Sequence, residues 1–147
     1  MSITVPVAFF KFKKNLEITD RQETNVSIRH RGIRQALQRQ IKVVTSFLIG
    51  SYARNTMIAP LSSADVDIFV VIHPTYGQIL QRGATPQLDI LNQIRLILKG
   101  SYPTTSDISP NGQAVTVSFD DFEVDVVPAF IRQGGGYLIP DSTRNMW

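Results

Sequence analysis

Two carboxylates open an apolar run of the sequence, as Asp65-Val66-Asp67 followed by residues 68–72. The β-branched side chains of this run favour a strand. Residues two positions apart on a strand share a face, and neighbouring carboxylates resist joint ionisation unless a cation lies between them. The pair therefore predicts a divalent-cation site. The alternative for such a pair is a solvated strand edge.

A third carboxylate is available in a second alternating segment, Glu123-Val124-Asp125-Val126. If the two segments pair as strands, Asp125 completes a three-carboxylate cage with Asp65 and Asp67. The chain has no cysteine and only two well-separated histidines, so oxygen must supply the ligands, which suits Mg²⁺ or Mn²⁺. Two such ions at a polyphosphate activate a hydroxyl and stabilise the leaving pyrophosphate.

A possible phosphate grip lies upstream, in the segment GSYARNT from Gly50 to Thr56. Gly50 lets the backbone approach a ligand that a Cβ atom would block. Ser51 can donate its N–H and its hydroxyl to a phosphate, especially where a helix begins. Arg54 and Thr56 are further candidates for nucleotide binding, although an arginine beside acidic strands also forms structural ion pairs.

Taken together, GSYARNT, the thirteen residues between Ser51 and Asp65, DVDIFVVI from Asp65 and VDVVPAF from Val124 resemble the nucleotidyltransferase superfamily of DNA polymerase β. More narrowly, they are similar to the CD-NTases, the bacterial cyclic-oligonucleotide synthases of SMODS type. The resemblance implies that Asp65, Asp67 and Asp125 are the catalytic metal ligands. It also implies that Gly50 and Ser51 hold the triphosphate.

The resemblance further implies a metal-dependent enzyme that uses ATP or GTP to make a cyclic di- or oligonucleotide messenger in anti-phage defence. Asp125 would act as general base, and a nucleic acid or protein could be an activator. Family members commonly have a small residue where Asn55 stands and continue into a helical lid. We therefore expect residues 1–147 to be a catalytic domain without its C-terminal helical domain. Another acceptor (an antibiotic, a protein or an RNA end) and an inactive nucleotide-binding domain are the alternatives.

Composition sets wider bounds. The chain has 147 residues, of which 43% are apolar, and a net charge of +3, which suit one compact domain. No apolar run approaches the roughly 20 residues that span a membrane, and the first residues make a poor signal peptide, so we expect a cytoplasmic protein. One set of basic residues either contacts nucleic acid or forms a solvated surface: Arg29, Arg31, Arg34, Arg39 and Lys42.

The elements predicted around these residues give an α+β fold, with a mixed, mainly antiparallel sheet flanked by helices. Capping boxes at Thr19 or Asp20 predict a helix that continues to near Phe47, with one apolar face made of Ile33, Leu37, Ile41 and Val44. Thr85-Pro86 begins a second helix that ends near Gly100. Turns at residues 110–112 and 120–121 predict a β-hairpin or meander, and residues 137–139 a last strand.

Overall fold

The computed structural model describes residues 4–80 and 82–147, with the backbone alone for Ile79 and Leu80. A 3-10 turn lies at Leu61–Ser63, just before the strand that begins at Asp65. The helices are α1 (Val5–Leu16), α2 (Asp20–Gln38), α3 (Gly50–Ala53), α4 (Pro74–Leu80) and α5 (Pro86–Ser101). The strands are β1 (Val43–Leu48), β2 (Asp65–Ile72), β3 (Asp107–Asn111), β4 (Ala114–Ser118), β5 (Glu123–Ile131) and β6 (Tyr137–Leu138).

One six-stranded sheet organises the described chain, in the order β1-β2-β5-β4-β3, with β6 added to the far end of β5. The β2–β5 pair is parallel, and the other pairs are antiparallel. The predicted α+β fold with a mixed, mainly antiparallel sheet is confirmed. Because β2 and β5 both begin with acidic residues, their parallel pairing brings those residues to the same end of the sheet.

The helix α2 begins with the predicted capping box but ends earlier than predicted. The Thr19 N–H donates to Gln22 Oε1 at 2.8 Å, and the Gln22 N–H donates to Thr19 Oγ1 at 3.3 Å. The predicted continuation to Phe47 is wrong: α2 ends at Gln38, and Val44 lies in β1 with 45% of its surface exposed. Since β1 pairs along β2, strand pairing overrides the helical spacing of its apolar residues.

The helices α2 and α5 cover the apolar face of the sheet. Ile33 and Leu37 of α2 pack with Ile94 and Leu98 of α5 and with the inward side chains of β2 and β5 in one buried cluster. The helix α5 begins at Pro86, as predicted, and continues to Ser101. This packing fixes one face of β2 against the core, which leaves the alternate side chains of that strand to the other face.

The hairpin of β3 and β4 turns one step later than predicted. Pro110 and Asn111 belong to β3, paired with Val115 and Ala114, and the chain reverses at Gly112, which has a φ of 59°. A proline is tolerated there because β3 is an edge strand. The predicted turn at residues 120–121 does separate β4 from β5, so the start of β5 lies beside the end of β4.

The helix α1 was not predicted from the sequence. None of its residues is buried, and Phe9 and Phe12 expose 69% and 60% of their surfaces. Among the residues described, no helix has the length and hydropathy needed to cross a membrane.

Candidate functional site

The parallel register of β2 and β5 aligns their acidic residues in pairs, Asp65 with Glu123 and Asp67 with Asp125. Val66 and Val124, between them, are fully buried against the helices. Alternation along a strand therefore turns the carboxylates to the opposite face. The predicted pairing of the two acidic strands is confirmed, and it gathers Asp65, Asp67 and Asp125 at one end of the sheet.

The carboxylates on β2 are electrostatically unfavourable. Burial first, then the charges of Asp125 and Glu123, raise the pKa of Asp65 above its ordinary value. Burial also raises the pKa of Asp67, followed by the charges of Asp125 and Asp65, while the nearby Arg54 guanidinium lowers it. Like charges that face each other in a partly desolvated site disfavour joint ionisation. A bound cation would remove this conflict.

The fold does not neutralise these acids itself. The salt bridges found in the described part of the chain are Lys13–Glu17, Arg29–Asp121 and Arg144–Asp141, and none reaches Asp65, Asp67 or Asp125. Within residues 4–80 and 82–147, no group of three acidic or histidine side chains is already gathered into a metal-ion site. The three aspartates are thus neighbours in register without forming a closed cage.

Gly50 packs against Asp67, and its backbone conformation explains why this residue is a glycine. Its φ is 69°, and a Cβ atom at this position would overlap Asp67 Oδ2 and come within 3.1 Å of Asp67 Cγ. The Ile49 N–H donates to the Asp67 carbonyl oxygen at 3.0 Å, which ties the chain before Gly50 to β2. Only glycine combines this φ with this close approach.

The other residues of the GSYARNT segment surround Gly50. Ser51 lies in the single turn of α3, and its carbonyl oxygen accepts from the Thr56 N–H at 2.9 Å and from the Thr56 hydroxyl at 3.3 Å. Arg54 follows α3 and is exposed. Asn55 has a φ of 54°, a left-handed conformation in which asparagine is one of the better tolerated non-glycine residues. The departure at Asn55 is therefore accommodated locally.

A groove of about 340 Å³ borders the acidic ends of β2 and β5. It is lined by Asp65 and Glu123, by Ser62 and Ser63 before β2, and by the β4–β5 turn at residues 118–122. Asp65 and Glu123 are exposed within it, whereas Asp67 and Asp125 are half-buried behind them. A ligand in this groove can therefore reach Asp65 and Glu123.

Sequence reasoning missed two groups of contacts at this end of the sheet. On β4, the Thr116 hydroxyl donates to Asp125 Oδ1 at 2.6 Å, and the Ser118 hydroxyl donates to Glu123 Oε1 at 2.9 Å. On α2, Arg29 pairs with Asp121 at 3.2 Å, which removes Arg29 from the basic surface considered for nucleic acid. The Thr-x-Ser and Glu-x-Asp alternations on either side of the 120–121 turn could have indicated the first group.

Comparison with family sequence models shows the family. Residues 3–147 match the sequence model of the Second Messenger Oligonucleotide or Dinucleotide Synthetase (SMODS) domain. The chain belongs to this family, which confirms the resemblance carried by GSYARNT and the two acidic strands. A curated relative, the cyclic AMP-AMP-AMP synthase of Acinetobacter sp. (strain ATCC 27244 / 9458), is 29% identical over 99% of this chain and 43% of its own length.

Solved structures show the same fold. The CD-NTase CdnG of Bradyrhizobium diazoefficiens, in complex with GTP, superposes with a TM-score of 0.68 at 19% identity, over 88% of this chain and 38% of that one. The CdnC:HORMA-deltaN complex of E. coli MS115-1 gives a TM-score of 0.58 at 19% identity, over 88% and 44%. The chain therefore spans less than half the length of each of these relatives.

Proposed function

We propose that this chain is the nucleotide- and metal-binding part of a nucleotidyltransferase that uses ATP or GTP to make a cyclic di- or oligonucleotide. The observation that supports this proposal most directly is the register of β2 and β5, which places Asp67 beside Asp125 and two residues along β2 from Asp65. The membership of the chain in the SMODS family supports the same proposed function. Because the chain spans 43% of its curated relative, the activity is proposed for the whole protein.

The acidic end of the sheet fits a divalent cation in three respects. Its donors are carboxylate oxygens, the ligands that Mg²⁺ and Mn²⁺ prefer. Burial and mutual charge raise the pKa values of Asp65 and Asp67, which a cation would reverse. No salt bridge among the described residues satisfies these acids. We propose that Asp65, Asp67 and Asp125 hold Mg²⁺, which when bound would polarise the phosphates and lower the pKa of the attacking hydroxyl.

The chain's own residues would bind and position the nucleotide. Gly50 brings the backbone within contact of Asp67, so a triphosphate gripped by Gly50 and Ser51 would lie directly against the acidic cluster. Arg54 is exposed on the same side and its charge reaches Asp67, which suits a phosphate contact. Thr56 is held to Ser51 through two hydrogen bonds, so we propose that it shapes this loop as well as facing the nucleotide.

The transfer itself follows from this arrangement. A sugar hydroxyl gives its proton to Asp125 and its oxygen bonds to the α-phosphorus, while the bond from that phosphorus to pyrophosphate breaks. Positioning of the two reactants supplies much of the catalysis in phosphoryl and nucleotidyl transfer. Asp125 is half-buried and already hydrogen-bonded, so its orientation is restricted before the substrate arrives.

The relatives suggest substrates and partners. One relative is named a cyclic AMP-AMP-AMP synthase, one structure contains GTP and another contains a HORMA protein. We propose ATP or GTP as donors here and a protein activator as a partner of the whole protein. A nucleic-acid activator, a cytoplasmic location and a role in anti-phage defence stay predictions.

The test is the thermal stability of this chain with ATP or GTP, in the presence and absence of Mg²⁺, for the wild type and for Asp67→Asn. We expect a nucleotide-dependent rise in melting temperature that requires Mg²⁺, because binding to the native state alone stabilises it by about 2.7 kcal/mol at a hundredfold excess of ligand over the dissociation constant. Asp67→Asn should abolish this rise.

Asp120→Asn is the matched control. Asp120 lies exposed in the β4–β5 turn and lines the groove but is outside the paired registers, and its substitution removes the same charge. A metal-dependent rise that Asp120→Asn reduces as much as Asp67→Asn would mean that only the general negative potential matters. A response to nucleotide that is independent of both Mg²⁺ and Asp67 would overturn the proposed site.

A further inference from the structure

The strand β4 presents a short ladder of hydroxyl groups to the acidic start of β5. In the antiparallel register, Thr116 lies opposite Asp125, and Ser118 lies opposite Glu123. Each hydroxyl donates to the carboxylate across from it, at 2.6 Å and 2.9 Å respectively. Since both sets alternate with apolar residues, the hydroxyls and the carboxylates share one face of the sheet.

The two rungs of this ladder differ in burial. The Ser118–Glu123 bond is exposed, where water competes with the serine hydroxyl. The Thr116–Asp125 bond is shorter and partly buried, and hydrogen bonds to ionised groups in such places are the stronger ones. Threonine is also β-branched, which restricts its χ1 rotamers on a strand. The inner rung is therefore the one able to fix a carboxylate.

We propose that Thr116 is a positioning residue for Asp125, an inference that rests on the proposed function of the acidic cluster. The hydroxyl holds Asp125 Oδ1 from the β4 side, while Asp67 lies on the opposite flank of Asp125, in β2. A carboxylate held by one donor keeps acceptor sites for other partners. Outer hydrogen bonds of this kind orient metal ligands, and their loss typically weakens metal affinity or activity by about 10–100-fold.

The burial of the surrounding residues makes this role separable from folding. Thr116 is half-buried between Val115 and Val117, which are both fully buried. Thr116→Val keeps the β-branched shape and the strand propensity but removes the donor. Thr116→Ser removes a methyl group and keeps the donor. Thr116→Val therefore tests the hydroxyl, and Thr116→Ser tests the methyl group. An effect on metal binding can then be distinguished from an effect on folding.

The experiment is a titration of the 147-residue chain with Mn²⁺ alone, with free Mn²⁺ measured by electron paramagnetic resonance. We expect Thr116→Val to weaken the Asp67-dependent Mn²⁺ affinity by about tenfold. Thr116→Ser should bind nearly as the wild type does, and Ser118→Ala, which breaks the exposed rung, should change the affinity much less than Thr116→Val. Circular dichroism checks that each variant folds, and Thr116→Ala provides a second chain without the hydroxyl.

The possible outcomes distinguish the positioning role of Thr116 from the proposed metal site on which it rests. Wild-type Mn²⁺ binding that Asp67→Asn does not weaken would overturn the proposed metal site, and the role of Thr116 with it. Asp67-dependent binding that is unchanged in folded Thr116→Val or Thr116→Ala would overturn the positioning role alone. Equal weakening in Thr116→Val and Thr116→Ser would also overturn it, because the hydroxyl would then not be the cause.

Discussion

Two acidic groups lie at the same end of the sheet and are treated differently by the fold. Asp121, just before β5, accepts from Arg29 at 3.2 Å and from Asn25 at 3.3 Å. The guanidinium of Arg29 also lies 4.1 Å from the centroid of the Phe119 ring. Asp65, Asp67 and Asp125, at the same end of the sheet, take part in no salt bridge found in the described structure.

The difference separates an acid that joins two elements of the fold from the acids for which we propose a ligand. Asp121 joins the β4–β5 turn to α2 and is satisfied without outside help. The three aspartates repel one another, and burial first, then this repulsion, raises the pKa of Asp65 and of Asp67. Local conflicts of this kind are typical of functional sites, where stability is conceded for binding. The comparison can be tested by changing each group and measuring stability and metal response together.

The largest expected effect is at the glycine that packs on Asp67. Gly50→Ala forces a residue with a side chain into a φ of 69° and places its Cβ against Asp67 Oδ2. We expect a loss of about 2–3 kcal/mol in unfolding free energy, measured by urea denaturation. The displaced Asp67 carboxylate should also lose the Mg²⁺-dependent nucleotide response.

Gly112→Ala separates the contact from the backbone conformation. Gly112 has a similar φ of 59°, but a Cβ there meets no atom within 4 Å. This variant should therefore lose only the conformational part, about 1 kcal/mol, and should keep the metal response. Equal losses in the two variants would show that the contact with Asp67 contributes nothing.

The gathering of the acidic residues could be predicted because its signals are local. A period of two along β2 and β5 states which side chains share a face, and Gly50 follows directly after a strand. The sequence predicted that β2 and β5 pair but not that the pairing is parallel, and the parallel register brings Asp67 beside Asp125. The fold class could be predicted for the same reason, since it follows from the order of helical and alternating segments.

The rest depended on tertiary contacts that no local pattern contains. Ile41 and Val44 continue the helical spacing of α2, and only the pairing of β1 with β2 places Val44 in a strand, at the register irregularity between Val43 and Thr45. The bond from Thr116 to Asp125 requires the observed register of β4 against β5. A turn of slightly different length would shift that register by one residue and turn the side chains to the other face of the sheet. The Arg29–Asp121 pair joins residues 92 positions apart, beyond any helical or strand spacing.

The next prediction concerns the satisfied acid. Arg29→Ala removes the ion pair with Asp121 and the contact with the Phe119 ring. Both Arg29 and Asp121 keep about 30% of their side-chain surface exposed, so solvent screens the pair and we expect a loss of only about 1–2 kcal/mol. Thermal denaturation should show a lower melting temperature, with an unchanged increment on adding Mg²⁺ and nucleotide.

A double-mutant cycle with Asp121→Asn isolates the pair. The coupling energy should be a fraction of the Arg29→Ala loss, because the cation–π contact with Phe119 does not involve Asp121. If Arg29→Ala abolished the Mg²⁺-dependent response while the protein stayed folded, the two acidic groups would not be independent, and the distinction drawn above would fail.

The smallest expected effect has the opposite sign. Asp67→Asn should stabilise the metal-free chain by about 1 kcal/mol or less at neutral pH, since it removes one of two like charges that face each other across strands and are partly screened by solvent. This corresponds to a rise in melting temperature of about 2–4 °C per kcal/mol for a chain of this size. With Mg²⁺ and nucleotide the order should invert, because only the wild type gains from the ligands.

The dependence on pH gives this last prediction its sign. The pKa of Asp67 in the folded state is raised above its ordinary value of 3.8. Between pH 3.8 and the folded-state pKa, the native chain therefore binds more protons than the unfolded chain. Wild-type stability is therefore lost as the pH rises from 3.8 through the folded pKa. Asp67→Asn lacks this loss, so the two melting curves should converge below pH 3.8 and separate above it. A wild type that stays more stable than Asp67→Asn at neutral pH without metal would mean that the fold itself satisfies Asp67, as it does Asp121.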